Sequence, residues 1–341
     1  RKGVRRRELQ LAVASPHASS LDGVAALSVR YAAGAGAAFA VALQAALEVD
    51  ATGDVDGLAR EAGADPQEVH ALAALLRGED GGQRAQSAQP GAPASLREVV
   101  VLWGERLTAG PNADAGGLAL LGLAGALSMA ETDGAGLLEV PAATNARGLR
   151  EAGVLPNAGT GLSEPFANPA AGEPRDAIGI AEGLAEGALS ALYLMHADPL
   201  RDLPDRELWE RALAGASTVV AHAAFLTEGI REHADVVFPA EAYAEKEGTV
   251  VHPDGRLQRL RPAIARPGAV RAEWQVLTEL ALRLGLDLDV LSAPMASARL
   301  FQAVPFYAGL TLEEIGGRGV RWQERAAASA FPAPGDGMPA P

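Results

Sequence analysis

The chain has 341 residues, 48% of them apolar, and carries 29 basic against 43 acidic side chains for a formal charge of −14. That apolar fraction is enough for a buried core and excludes global disorder, while the negative field disfavours nucleic acid as a partner. Cysteine is absent, which excludes disulfides, thiolate-bound iron–sulfur clusters and Cys-based zinc sites within the chain.

Taken in chain order, the sequence opens with Arg-Lys rather than Met, followed by a charged run from Arg1 to Arg7. Gln10, Ser15, Pro16 and His17 break the next segment too often for a signal-peptide core. A cut edge of a longer protein is the expectation. Leu9–Ala14 reads as the first buried strand. Gly34-Ala35-Gly36 precedes an Ala-rich helix and reads as its N-terminal turn, because no G-x-G-x-x-G follows a strand here. Residues 78–93, rich in Gly, Gln, Ser and Pro without an apolar period, predict a mobile surface insertion. Glu98–Trp103 is the next strand. The longest apolar run, Ala115 to Met129, is shorter than the ~20 residues of a membrane span. Gly116, Gly117, Gly122 and Gly125 interrupt it, so a core helix with close backbone packing is expected. Gly136–Val140 is a further strand, and residues 157–174 form a turn-rich loop pinned by Leu162 and Phe166.

The clearest unit follows. Ala191–Met195 is a strand, and Ala197-Asp198-Pro199 a turn. Pro204 and Asp205 open a helix with Leu208, Trp209, Ala212 and Leu213 on one face, ended by Gly215. Thr218–Ala221 is the second strand, Thr227 to His233 a short helix, and Ala234–Phe238 the third strand. Continuous apolar strands separated by helices predict an α/β fold, a doubly wound, mostly parallel sheet with helices on both faces. The expected organisation is an α/β region over residues 1–265, a helical extension over 266–330 and a disordered tail over 331–341.

Ligands of open parallel sheets sit beyond the carboxyl ends of the strands. Those ends carry Trp103 to Arg106, then His196, Asp198 and Arg201, then His222 and Thr227, then Pro239, Glu241 and Glu245. The edge is acidic and mixed, unlike a phosphate cradle. There is no Walker-type loop and no G-x-S-x-G elbow. The six histidines make no zinc-type His-x-x-x-His pair. His196 and His222 end adjacent strands, where a metal site and plain polar loop residues are both open readings. Glu241, Glu245, Lys246 and Glu247 on their own read as a solvated turn before a strand at Gly248–Val251. Gly248 and Gly255 are expected to supply turn conformations around that strand. Arg256 is expected to form a forked pair with Asp254 or a nearby carboxylate, and Lys246 to pair with Glu245 or Glu241.

The order of these residues carries a resemblance. Ala234-Asp235-Val236-Val237-Phe238-Pro239, then Glu245-Lys246-Glu247-Gly248-Thr249, then Pro253-Asp254-Gly255-Arg256-Leu257-Gln258 resembles the molybdopterin oxidoreductase superfamily pattern "ADVVLP", "E-K-x-G-T", "N-x-E-G-R-x-Q". Asp198-Pro199 resembles the family's "G-x-N-P" turn, and Arg271-Ala272-Glu273-Trp274 its "A-R-x-D-W" helix opening. His196 stands where that turn has Gly, and Asp198 where it has Asn. His222 stands where the family often has Asp. With Glu139-Val140-Pro141, Asn145, Arg147 to Gly153 and Leu155-Pro156-Asn157, the set resembles the G-subunit family of bacterial NADH-quinone oxidoreductase over about residues 1–330. The resemblance implies a peripheral-arm component of respiratory complex I, on the cytoplasmic side of the inner membrane, with other peripheral-arm subunits as partners. It implies iron–sulfur clusters in an N-terminal part that this chain lacks, and none here. It also implies that molybdopterin chemistry is lost. His196, Asp198, Pro199 and His222 would then be vestigial pterin-site positions. Glu245, Lys246, Gly248, Thr249, Gly255, Arg256 and Gln258 would form a structural loop. The alternative is a fragment of an active molybdopterin-dependent oxidoreductase of the formate dehydrogenase or nitrate reductase type.

Overall fold

The structure is a computed structural model and describes residues 9–48, 53–79, 98–108, 113–164 and 174–332. The chain divides into two compact units, residues 1–142 and 143–339. The expected insertion over 78–93 lies almost wholly outside the described residues, as does Phe166.

The first unit holds two short parallel sheets. Strands β1 (Ala12–Ala14) and β2 (Leu27–Val29) pair in parallel, as do β3 (Val100–Gly104) and β4 (Gly136–Val140). Helix α1 (Gly36–Leu47) is apolar nearly all round and buries Phe39, Ala40, Ala42, Leu43, Ala46 and Leu47, as a helix without a polar face must. Helices α2 (Val55–Glu61) and α3 (Pro66–Arg77) start on Asp54 and Asp65, whose carboxylates accept from Gly57 and Gln67 amides at 2.8 Å. Pro66 at the first helical position and a left-handed Gly78 at the end bound α3, the usual asymmetry of helix ends. Val29, Phe39, Leu43, Val69, Leu72 and Leu123 share one core.

Helix α4 (Ala113–Ala126) covers the long apolar run. The expected close approach is real at Gly116, where a Cβ would meet the Leu107 carbonyl oxygen at 1.8 Å. The helix is not buried all round, however. Ala119, Leu120 and Leu123 face the core, while Leu118 and Leu121 are exposed.

The second unit opens with α5 (Ala146–Glu151) and is organised around a parallel sheet in the order β5 (Ala191–Met195), β6 (Thr218–Ala223), β7 (Val236–Pro239). The helices α6 (Ala177–Ala185), α7 (Pro199–Asp202), α8 (Arg206–Gly215) and α9 (Glu228–His233) complete this α/β layer. Leu184, Leu194, Trp209, Leu213, Val219, Ala221 and Ile230 form its core. Helices α6 and α8 approach closely enough that a Cβ on Gly215 would lie 2.7 Å from the Leu184 carbonyl oxygen. The α/β class and the parallel pairing agree with expectation. The sheet itself is divided into separate short sheets, because neither β1–β2 nor β3–β4 pairs with β5–β7.

An antiparallel ribbon follows, β8 (Gly248–Val251), β9 (Arg256–Leu260) and β10 (Val320–Arg321), with β9 in the middle. Helices α10 (Glu273–Arg283), α11 (Ala293–Ala303) and α12 (Leu312–Ile315) make up the rest. Val251, Leu257, Phe301, Val304, Phe306, Tyr307 and Trp322 form a third core. A buried carboxylate ties it together. Glu151 accepts from Arg147 Nε at 2.8 Å, from Trp322 Nε1 at 3.2 Å and from the Tyr307 hydroxyl. The Arg147 guanidinium lies 5.4 Å over the Trp322 ring and donates to the Pro253 carbonyl at 2.5 Å. Asn145 Oδ1 accepts from the Val251 amide at 2.7 Å. Asn145, Arg147 and Glu151, which helped carry the resemblance, therefore have structural work in this core. The expected disordered tail begins too early, since Phe331 stacks on Trp322 at 5.1 Å. No helix among the described residues is long and apolar enough to cross a membrane.

Candidate functional site

The three strands β5, β6 and β7 end at one edge, the position where open parallel sheets bind ligands. The first residue beyond β5 is His196. Its φ is +54°, so the left-handed backbone of the resembling glycine is kept although the side chain is imidazole. The His196 amide donates to the His222 carbonyl at 2.8 Å, which continues the β5–β6 pairing into the turn.

The side chain of His196 meets a residue 77 positions away. Its Nε2 lies 2.5 Å from Glu273 Oε1 at the start of α10. Lys246 Nζ donates to the same carboxylate oxygen and lies 3.1 Å from His196 Nε2. A protonated Nε2 donates to Glu273; an unprotonated one accepts from Lys246. Burial by itself raises the Glu273 carboxyl, but hydrogen bonds from His196 and Lys246 outweigh it and hold this carboxyl well below the usual range. The fully enclosed Glu241 behaves in the opposite way. Burial and a hydrogen bond to Glu273 push its carboxyl up, against the pull of the paired Arg266. The two neighbouring carboxyls are thus pulled in opposite directions, Glu241 up and Glu273 down.

Beneath this network lies His222, with no exposed surface. Its Nδ1 and the Tyr193 hydroxyl share a hydrogen bond of 3.2 Å, and Phe238 packs beside the ring at 5.6 Å. Among the described residues, Nε2 has no hydrogen-bond partner, nor does the buried Thr227 hydroxyl. Burial depresses the His222 imidazole; Glu273 opposes this, and His196, Lys246 and Arg271 reinforce it. A cleft of about 430 Å3, lined by Phe238, Pro239, Gly268, Ala269, Arg271 and Val276, opens at the end of β7.

Asp198 and Pro199 have turned inward. Asp198 caps α7, with Oδ1 accepting from the Leu200 amide at 3.1 Å and Oδ2 from the Gly229 amide at 3.0 Å. A Cβ on residue 229 would lie 2.3 Å from Asp198 Oδ1, so this cap requires glycine there. Pro199 is fully buried behind it. These positions do not fit a phosphate-bearing group. An acceptor-only carboxylate, already bonded to two amides, stands in the turn, and His196 Nε2 is held by Glu273 and Lys246.

The loop residues differ from expectation at several points. Lys246 pairs with Glu273, not with Glu245 or Glu241, because Glu245 turns back to accept from the Ala242 amide at 2.9 Å. Arg256 makes no fork with Asp254: Nε and Oδ2 are 4.0 Å apart. Asp254 instead meets His252 Nδ1 at 2.8 Å and accepts from the Arg256 amide at 3.0 Å. Gly255 is a true turn glycine with φ +81°, pressed against Gln323. Gly248 is an ordinary strand residue opposite Leu260, and Thr249 and Gln258 are likewise ladder residues of β8 and β9. Among the described residues, no three His, Asp or Glu side chains converge on a metal-sized site. In the sequence Arg271 and Glu273 stand out only as part of a helix opening, and Tyr193 and Arg266 not at all. An acid in the first turn of a helix reads as a response to the helix dipole, and only the tertiary approach of α10 reveals more.

Comparison with known proteins bears on this edge. The molybdopterin oxidoreductase family pattern matches residues 4–283. The chain belongs to the molybdopterin oxidoreductase family. Among its relatives, the NADPH-Fe(3+) oxidoreductase subunit alpha of Geobacter sulfurreducens is 35% identical over 221 residues, covering 62% of this chain and 26% of that protein. A G-type subunit of NADH-quinone oxidoreductase from Rhizobium meliloti is 34% identical over 191 residues, covering 51% and 22%. Formate dehydrogenase and nitrate reductase chains are also similar to it. Among solved structures, acetylene hydratase from Pelobacter acetylenicus has the same fold, with a TM-score of 0.60 at 16% identity over 92% of this chain and 48% of that one. The match spans about a quarter of the length of the Geobacter and Rhizobium proteins. Molybdopterin oxidoreductases normally bind a molybdopterin, which weighs against the expectation of a chain without one.

Proposed function

We propose that this chain is part of a peripheral subunit of an NADH-quinone oxidoreductase, where it serves as scaffold and carries no redox centre of its own. The observation behind this reading is the interlock of His196, Glu273 and Lys246 over the edge of β5–β7, together with the inward Asp198. The 34% identity to the Rhizobium protein supports the choice of complex. In this reading His196, Asp198, Pro199 and His222 are what is left of a pterin site. Glu245, Lys246, Gly255 and the ladder residues around them hold the scaffold together. The full protein would lie on the cytoplasmic side of the inner membrane among other peripheral-arm subunits, with iron–sulfur clusters in its N-terminal part. Electrons from NADH would pass to quinone through those clusters.

Family membership itself favours a second reading, an active molybdopterin-dependent oxidoreductase of the formate dehydrogenase or nitrate reductase type. Metal and pterin analysis of the purified full-length protein separates the two. The scaffold reading expects neither molybdenum nor tungsten; a stoichiometric amount of either sinks it.

A further inference from the structure

At the carboxyl edge of the parallel sheet, the chain has placed one of its own carboxylates among donors drawn from different elements. His196 comes from the turn after β5 and Lys246 from the segment before β8. Both address Glu273 through the single oxygen Oε1. Convergence of charged donors on one oxygen is the geometry by which proteins hold a carboxylate ligand. The fully buried His222, whose Nε2 has no partner among the described residues, lies in the same field of charge. The 430 Å3 cleft is lined by Arg271 and Val276, which flank Glu273 in the chain, and by Phe238, which packs on His222.

We infer that His196 and Lys246 form a carboxylate-binding site which the chain fills with its own Glu273, and that removal of this side chain leaves a site for a small free carboxylate. The inference rests on the reading above that no pterin nucleotide runs along this edge. The two fail separately, because metal analysis tests that reading and carboxylate binding tests this one.

Lys246 is one of only two lysines in the sequence, the other being Lys2, which makes its amine a convenient reporter. In the purified full-length protein, an amine-reactive reagent is mapped at Lys246 by mass spectrometry, in chloride and in acetate at equal ionic strength. The native protein should label slowly and be indifferent to acetate. Glu273→Ala should label about tenfold faster in chloride, as expected for loss of one strong charge-assisted contact. Acetate should slow it back with a Kd of roughly millimolar or weaker, the ceiling for so few atoms. Glu273→Gln, whose amide still fills the site, should label faster without an acetate response. Acetate that fails to protect Glu273→Ala, or that protects the native protein or Glu273→Gln equally, overturns the inference. If Glu273→Ala does not fold in chloride, acetate must restore its folded fraction; failure to do so overturns it as well.

Discussion

Glu151 shows how much one side chain decides. It is 3% exposed and yet charged-group chemistry surrounds it: a guanidinium, an indole N–H and a phenol all point at one carboxylate. Removing the acceptor takes the carboxylate from a largely buried guanidinium and leaves two buried aromatic donors unpaired, so Glu151→Ala should cost about 3–5 kcal/mol in denaturant unfolding. His222 gives a pH signature. Its imidazole is depressed in the folded state, so its contribution is complete above the ordinary value of about 6.5 and falls as the pH drops below it. The raised Glu241 acts with opposite sign, losing stability as the pH rises through its folded value. The depressed Glu273 yields acid sensitivity only below about pH 4.3. The difference between the native protein and His222→Gln isolates the histidine. Urea midpoints from pH 6.5 to 5 should fall less steeply in the variant, and equal slopes would count against a buried neutral imidazole. His196 and His222 were legible as the ends of adjacent strands. Their partner Glu273 was not, because 77 residues separate it from His196 and no local pattern encodes that meeting.

At the scale of elements, close backbone approach matters more than propensity. Helix α4 holds four glycines in an apolar run, and the structure separates their roles. Gly116 presses on the Leu107 carbonyl, whereas an added methyl group at Gly117 would have nothing within 4 Å. Gly116→Ala should therefore lower stability by about 1–3 kcal/mol through overpacking. Gly117→Ala should raise it by about 0.5–1 kcal/mol by restoring helix propensity. Thermal melts of the two variants shifting in the same direction would contradict this division. Strands Gly136–Val140, Ala191–Met195 and Gly248–Val251 lie where the sequence placed them, since each is an aliphatic or β-branched run closed by turn residues. Strand β2 has three residues and β10 two, too short to show a period. Strand β9 reads Arg-Leu-Gln-Arg-Leu and is half polar, so only its pairing with β8 and β10 reveals it.

For the whole molecule, sequence order identified the α/β class but not the division into separate short sheets. Aliphatic runs announce strands without saying which strands pair. The second unit brings together cores built from widely spaced segments, with Val251 and Leu257 on the ribbon packed against Phe301 to Trp322. The overall charge of −14 has its consequence at this scale too. The protein should show no retention on an immobilised polyanion such as heparin at about 0.15 M salt, where the Debye length is about 8 Å and only local basic patches act. Strong retention would reveal a concentrated basic surface.

The carboxylate of Glu151 also sets an order of events during synthesis. Its two aromatic donors lie 156 and 171 residues downstream. At about 5–20 residues per second, a ribosome needs roughly 10–30 s to add that much chain. For that interval Arg147 and Glu151 wait without Tyr307 and Trp322, and β8 and β9, once made, have nothing to close over their apolar faces until the downstream segments follow. The third core is therefore the last to be completed on a growing chain, and truncations just short of Trp322 should be the ones that most need a chaperone.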